Sequence, residues 1–436
     1  MRVSWHSPMP PARTGVAHYS SLVLPALPDV DGPPIYHLGN NPFHEAIYRL
    51  AMREPGIIVL HDVVLHHLIV EMTLARGDVE GYVNALRASH GAAGEAWARG
   101  RAMGMHDEIG NFLLPASIDI ARRSRAVIVH NKWAAERLLS FGVETPVYVV
   151  PHPYVHEPAT RVVNVPKGRI VGLFGFLTAA KRANVVLEAF ANARKQDLSL
   201  VLLVVGEPAP NIDIDKMRGD GIVFTGYVPD EDFASYYAAA DRLVNLRYPS
   251  AGETSGTLIR ALDAEKPVAV SDYAQFAEFP DDCVFKVPLG GEEVNKLTEF
   301  LLGDVDHSGQ RAWLESHCTI DHTIRGYLGV LNGSAQPYIA QSATRAIPLL
   351  PRLEVVATNP LTLRNTGDFT LRTRVYGQPS YRLIANDRWI ELPCDLAPGA
   401  EVSIPLPPGT FRLAHAVQGI PMLDAEPFAE VRIGAL

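Results

Sequence analysis

The chain has 436 residues, and at about 150 residues per domain that length predicts roughly three domains. Hydrophobic residues make up 47% and charged residues 20%, a globular composition with material for several cores. With 39 Lys and Arg against 48 Asp and Glu, the net charge of −9 argues against a sequence-independent grip on nucleic acid or on an anionic membrane.

Cys283, Cys318 and Cys394 lie far apart with no Cys-x-x-Cys pair, so neither a disulfide framework nor a cysteine zinc cluster is expected, and a reducing compartment suits them. The longest apolar run, Leu200 to Val205, is far below the about 18 residues of a membrane span. Met1-Arg2-Val3-Ser4-Trp5-His6 lacks the apolar centre of a signal peptide. A soluble cytoplasmic protein is the expectation, with no integral membrane segment; peripheral contact with a membrane stays open.

In chain order, short β-branched runs at Val3 to His6, Ile35 to Leu38, Ile57 to His61, Val127 to His130 and Val147 to Val150 alternate with helix-like stretches such as Phe43 to Met52 and Trp133 to Leu139. Continuous apolar runs separated by helices predict parallel strands buried on both faces. Pro151-His152-Pro153 through Pro166 then reads as a hinge, because prolines break regular elements there. A second series follows at Ile170 to Phe174, Leu200 to Val205, Ile222 to Thr225, Leu243 to Leu246, Pro267 to Val270 and Val284 to Val287. Between the first two runs, Val185, Val186, Ala189, Phe190 and Ala193 share a helix face. Two such series predict an α/β protein with two facing Rossmann-like domains, over residues 1–155 and 156–335, with a last helix at about 310–332 able to pack back on the first.

After Ser334 the helical pattern ends. Phe369 to Tyr376 alternates with period two after an Asn365-Thr366-Gly367-Asp368 turn, and short runs recur at Tyr381 to Ile384, Val402 to Ile404, Phe411 to Ala414 and Ala429 to Ile433. That spacing predicts a small all-β, immunoglobulin-like sandwich over residues 346–436.

Open parallel sheets bind ligands at the carboxyl ends of their strands. The first strand runs into a loop from Ser7-Pro8 through Arg13 to Gly15, where a glycine at a helix start lets N–H groups approach an anion. His61-Asp62 end another strand, well placed to touch sugar hydroxyls or to orient each other. In the second series Gly175 to Arg182 brings a Lys181-Arg182 pair over the sheet edge. Gly226-Tyr227-Val228-Pro229 forms a tight loop, and Gly252-Glu253-Thr254-Ser255-Gly256-Thr257 combines capping hydroxyls with a helix N-terminus.

Together the Lys181 loop, the Gly226-Tyr227-Val228 loop, the Glu253 loop and Lys266-Pro267-Val268-Ala269-Val270-Ser271-Asp272 resemble the donor domain of family 4 glycosyltransferases of the GT-B fold. The Ser7-Pro8 to Gly15 loop and the strand Val127 to His130 are similar to that family's acceptor domain. The resemblance covers about residues 1–330 and leaves out the tail. It implies transfer of a sugar from a UDP-, GDP- or dTDP-sugar to a hydroxyl of a glycan or lipid-linked acceptor, as in surface polysaccharide synthesis, with retention and with neither metal nor cofactor. By position, Lys181 with Arg182 would hold the diphosphate, and Gly15, Gly256 and Thr257 would add N–H donors. Tyr227 and Val228 would flank the base, Glu253 would bond the sugar's hydroxyls, and His61 would reach the donor from the other domain. Arg247, Thr254 and Ser255 are further donor-site candidates. Asp62, Arg13 and His106, the last in the polar stretch Arg101 to Asn111, are candidates for the acceptor.

Two positions depart from the family pattern. Its second glutamate is missing, since Ala261 stands eight residues past Glu253, and Arg260 stands there if the register is set on Lys266-Pro267. Its glycine-arginine pair upstream of the lysine is replaced by Gly175-Phe176. A non-catalytic nucleotide-sugar or glycan binder and a sugar-nucleotide epimerase therefore stand as alternatives. His66 and His67 read as a partly buried helix face with no metal, and Trp5, Trp133 and Trp313 as core anchors, with Trp389 in the tail open between a core anchor and a sugar-stacking platform.

Overall fold

The computed structural model describes residues 3–12, 14–104, 109–112, 114–209, 212–340, 352–367, 370–371, 373, 381–386, 388–417, 420–421 and 428–434. The chain divides into two compact units, one of Met1–Met9, Asp29–Val149 and Gly333–Leu436, the other of Pro10–Pro28 and Val150–Asn332.

Five strands form the α/β part of the first unit: β1 (Trp5–His6), β2 (Ile35–Leu38), β3 (Ile57–Leu60), β4 (Ala126–Val129) and β5 (Val147–Val149). All pair in parallel, side by side in chain order, so this sheet never reverses its direction of growth. Every residue of β2, β3 and β4 is buried, which is what unbroken Ile-Ile-Val-Leu-type runs are suited to.

In the second unit, β6 (Arg169–Phe174), β7 (Leu200–Val205), β8 (Ile222–Gly226), β9 (Arg242–Asn245), β10 (Val268–Ser271) and β11 (Phe285–Val287) make a parallel sheet in the order β11-β10-β9-β6-β7-β8. This is the doubly wound arrangement, and its direction reverses between β6 and β9. Alternation along β6 feeds both faces of the sheet. Ile170 and Phe174 join one core with Leu243, Leu258, Ile259, Leu262 and Phe276. Val171 and Leu173 join the other with Val185, Val186, Ala189, Phe190 and Ala193 of the helix Ala183–Arg194.

The segment that reads as a hinge holds no helix or strand, yet it is stitched down. Tyr154 N–H donates to the Cys318 carbonyl, and Asp263 accepts from the Tyr154 hydroxyl at 3.0 Å and from Glu157 N–H at 3.0 Å. His156 Nδ1 lies 2.7 Å from the same carboxylate. Arg161 N–H reaches Ser235 Oγ at 3.1 Å. The helix Ile320–Leu331 belongs to this second unit, where its Tyr327 hydroxyl meets that of Tyr19 from the helix Gly15–Ala26 at 2.9 Å, both side chains buried.

The tail is antiparallel. One sheet joins Leu353–Thr358, Leu361–Asn365 and Glu401–Ile404; the other is built on Tyr381–Ala385, Gly409–Val417 and Ala429–Ile433. Leu361, Leu363, Val402 and Ile404 of one share a core with Leu383, Leu413, Val431 and Ile433 of the other. The expected strand Phe369 to Tyr376 falls largely outside the described residues, as does the side chain of Trp389. No helix among the described residues is long and apolar enough to cross a membrane.

Candidate functional site

The switch between β6 and β9 gathers the charged groups. Gly175 leaves β6 with φ +83°, and an added Cβ there would stand 3.0 Å from both Lys181 Nζ and Thr257 Cγ2. Glycine thus gives the turn its left-handed backbone and keeps open the gap between ammonium and helix start. Lys181 is buried and donates from Nζ to the Phe174 carbonyl. Burial lowers its pKa to about 7; the Arg247 charge adds to that, and Glu253 opposes it.

Arg247 follows β9, its N–H held by Ser271 Oγ at 2.9 Å from the end of β10. Its Nε lies 3.0 Å from Glu253 Oε1. Glu253 Oε2 accepts the Ala251 N–H at 2.9 Å and lies 3.2 Å from Ser250 Oγ, which is itself 2.8 Å from Gln275 Oε1. The carboxylate is therefore fixed by its own loop, with about a quarter of the side chain still exposed. Ser255 caps the helix Gly256–Asp263 by accepting the Leu258 N–H, and Gly256 is exposed with open space where a Cβ would be. Thr254 is half-buried in the same turn. Two basic side chains, one fixed carboxylate and a capped helix start thus meet at a strand-order reversal, a combination whose charge suits an anion.

Of the other expected donor residues, Arg182 and Val228 are turned into the core. Arg182 turns away into the core, where it forms a buried two-point pair with Glu293, 111 residues downstream, and lies over Tyr248. Tyr227 is exposed after the left-handed Gly226, whereas Val228 is buried in the apolar core. Arg260 forms a two-point pair with Glu157, both contacts 3.1 Å. Gly15 opens its helix behind the cap Thr14, which accepts the Ala17 N–H at 3.0 Å. Arg13 and His106 lie outside the described residues.

In the first unit His61 is the centre of a row. Its Nε2 lies 3.0 Å from His37 Nδ1, and its Nδ1 lies 3.2 Å from His130 Nε2, so the ends of β2, β3 and β4 are linked by imidazoles. Burial, then the neighbouring His130 and His44, hold the His37 pKa well below the ordinary histidine value. Asp62 accepts the Asn40 N–H at 2.8 Å, and Asn40 Oδ1 takes the N–H groups of His67 and Leu68. His66 is wholly buried between the Leu114 carbonyl and the Tyr82 hydroxyl, deeper than the partly buried face expected for it.

Two partner residues of the second unit carry no motif. Glu293 is silent in the sequence because its partner is distant. Asn245 has a faint signal, a polar residue ending the apolar strand β9; its side chain meets Ser255 and Thr257.

The fold defines a doubly wound α/β unit with charged groups gathered at its switch point. Residues 168–298, from β6 into the helix Glu293–Leu302, match the family model described as Glycosyl transferases group 1. No curated protein matches the chain. Among solved structures, a TarM variant from S. aureus in complex with Fondaparinux, alpha-GlcNAc-glycerol and UDP is similar at 16% identity and a TM-score of 0.42 over 49% of this chain. This chain spans 45% of that protein. HepE from Anabaena in complex with UDP-glucose shares 13% identity over 76% of this chain and 100% of its own, with a TM-score of 0.47. The pneumococcal O-GlcNAc transferase GtfA in complex with UDP and GlcNAc shares 10% over 73% and 60%, with a TM-score of 0.47.

Proposed function

We propose that the protein is a glycosyltransferase of GT-B type. It moves a sugar from a nucleoside-diphosphate sugar to a hydroxyl of a glycan or lipid-linked acceptor, with retention, without a metal, in cytoplasmic synthesis of a surface polysaccharide. The observation that carries this reading is the convergence of Lys181, Arg247 and the Thr254-to-Thr257 turn on one sheet edge within the stretch that matches the family model.

The chemistry follows from charge. As the glycosidic bond breaks, the leaving nucleoside diphosphate gains negative charge. Cations and helix N–H groups aimed at it then stabilise the transition state more than the ground state. No covalent side-chain nucleophile is needed, because the departing phosphate can take the acceptor's proton on the same face. Glu253, immobilised by Ala251 N–H and Arg247, accepts the donor sugar's hydroxyls.

Purified protein is screened by thermal shift against UDP, GDP and dTDP, where a ligand at 100 times its Kd adds about 2.7 kcal/mol of stability. Turnover is then assayed with the matching nucleotide-sugars. Lys181→Ala should lower turnover by about 10²–10³-fold, the usual loss for one charge-stabilising donor. Absence of both nucleotide binding and donor hydrolysis refutes the proposal.

A second reading, a non-catalytic nucleotide-sugar binder, is favoured by one observation: Ala261 is buried in the core and Arg260 is committed to Glu157, so neither replaces the family's second carboxylate. Nucleotide binding with no turnover, unchanged by Lys181→Ala or Glu253→Gln, would select it. Conversion of a nucleotide-sugar with no acceptor would select an epimerase instead.

A further inference from the structure

The carboxyl end of β10 braces the Arg247–Glu253 pair at two points. Ser271, the last residue of that strand, holds the Arg247 N–H. Four residues on, Gln275 is buried, and its carboxamide spans both ends of the Glu253 loop. Nε2 donates to the Glu253 carbonyl at 2.7 Å, and Oε1 accepts from Ser250 Oγ at 2.8 Å. A carbonyl can only accept, so the first of these bonds fixes which end of the carboxamide is the nitrogen. The preceding residue, Ala274, takes a left-handed backbone with φ +55°, which a residue bearing a Cβ rarely adopts. Strain of that kind persists only where the surrounding structure over-determines it, and here it immediately precedes the side chain that ties down the Glu253 loop.

The Ser250 hydroxyl has one hydrogen and two acceptors within reach, Gln275 Oε1 at 2.8 Å and Glu253 Oε2 at 3.2 Å, while its oxygen accepts the Gly252 N–H at 3.0 Å. The shorter contact takes the hydrogen, and that contact is Gln275. Glu253 Oε2 is then left with one donor, the Ala251 N–H, and Oε1 lies beside Arg247 Nε. A carboxylate offers about four lone-pair sites, so this one keeps capacity for further donors. Without the Gln275 carboxamide, the Ser250 hydrogen turns to Glu253 Oε2, and the Glu253 carbonyl loses its tether.

We infer that Gln275 is a positioning residue for the donor sugar: it tethers the Glu253 backbone and draws the Ser250 hydrogen off the Glu253 carboxylate, which leaves that carboxylate to accept the sugar's hydroxyls. No covalent bond is made or broken in this step. The inference rests on the proposed function, because it needs a sugar at Glu253.

A merely structural Gln275, one that only packs the loop, is distinguishable. A panel of UDP-, GDP- and dTDP-hexoses is titrated by calorimetry beside the bare nucleoside diphosphates. The hexose nucleotide bound most tightly is carried through Gln275→Met, Glu253→Gln and the double variant. Gln275→Met should weaken that hexose nucleotide about tenfold, the lower end for one hydrogen bond to a charged group, and leave the Kd of its nucleoside diphosphate within about twofold. Glu253→Gln should show the same selectivity, and the double variant should lose no more than the worse single. If Gln275→Met does not fold, Ser250→Ala takes its place in the cycle, since it removes the hydroxyl that ties the loop to Gln275. Equal losses for the hexose nucleotide and the diphosphate overturn the inference. So does an unchanged hexose-nucleotide affinity, and so do losses that multiply in the double variant. Should the wild type bind none of these nucleotides, the functional proposal itself falls and takes this inference with it.

Discussion

Lys181 carries a linkage that can be read in solution. Its amine titrates near 10.5 in an unfolded chain and at about 7 in the fold, where burial, then Arg247, disfavour the charge. Between those values the unfolded chain holds a proton that the folded chain lacks, so nucleotide-free stability gains from this group as pH rises. Lys181→Met should flatten that rise, measured as denaturant midpoints across the window. A bound diphosphate favours the ammonium, so binding above about pH 7 must take up a proton, and affinity should fall by up to about tenfold per pH unit. Calorimetry in buffers of different ionisation enthalpy checks this, and a Kd independent of pH across that range counts against it. Arg182 behaves otherwise. Arg182→Met strands the buried Glu293 carboxylate and should cost about 3–5 kcal/mol of stability, seen in denaturation curves of the empty protein.

The helix Gly256–Asp263 works at both ends. Its first turn opens on the anion edge behind Ser255, and Ser255→Ala should cost about 1 kcal/mol through the lost cap. Its last residue, Asp263, anchors the proline-bearing segment through Tyr154, His156 and Glu157. Burial alone would raise the Asp263 pKa, but hydrogen bonds from His156, Glu157 N–H, Tyr154 and Arg311 hold it below the ordinary carboxylate value. The stability this gives is present above that ordinary value and is lost as pH falls towards the depressed one. Asp263→Asn should therefore lower stability at neutral pH by about 1–3 kcal/mol and weaken acid sensitivity, as followed by unfolding at a series of acid pH values. These elements differ in how openly the sequence declares them. Strands such as Ile57–Leu60 and Leu200–Val205 are legible because unbroken apolar runs have few other uses, and Lys181 and Glu253 because they stand in glycine-bearing loops after strands. Leu353–Thr358 and Leu361–Asn365 escape the pattern, one of them lying mostly exposed. The Arg182–Glu293 pair and the Asn245 cluster are illegible for another reason: each depends on side chains brought together only by the folded sheet.

At the scale of the whole molecule, every cation of the anion edge lies in the second unit, while the antiparallel tail clusters with the first. Truncation after Ser342 keeps Tyr338, whose N–H meets the Val147 carbonyl at 2.7 Å and whose hydroxyl donates to Glu136 at 2.8 Å. The truncated chain should bind nucleoside diphosphate with the wild-type Kd; a weakened Kd would show that the tail bears on that edge, and light scattering reports whether it sets the oligomeric mass. The second unit is also discontinuous, since Tyr19 and Tyr327 meet across 308 residues of intervening chain. During synthesis at about 5–20 residues per second, the helix bearing Tyr19 emerges roughly 15–60 s before its mate. The buried hydroxyl pair can therefore close only after three quarters of the chain's residues have been joined, which makes this contact a late event in the assembly of the unit.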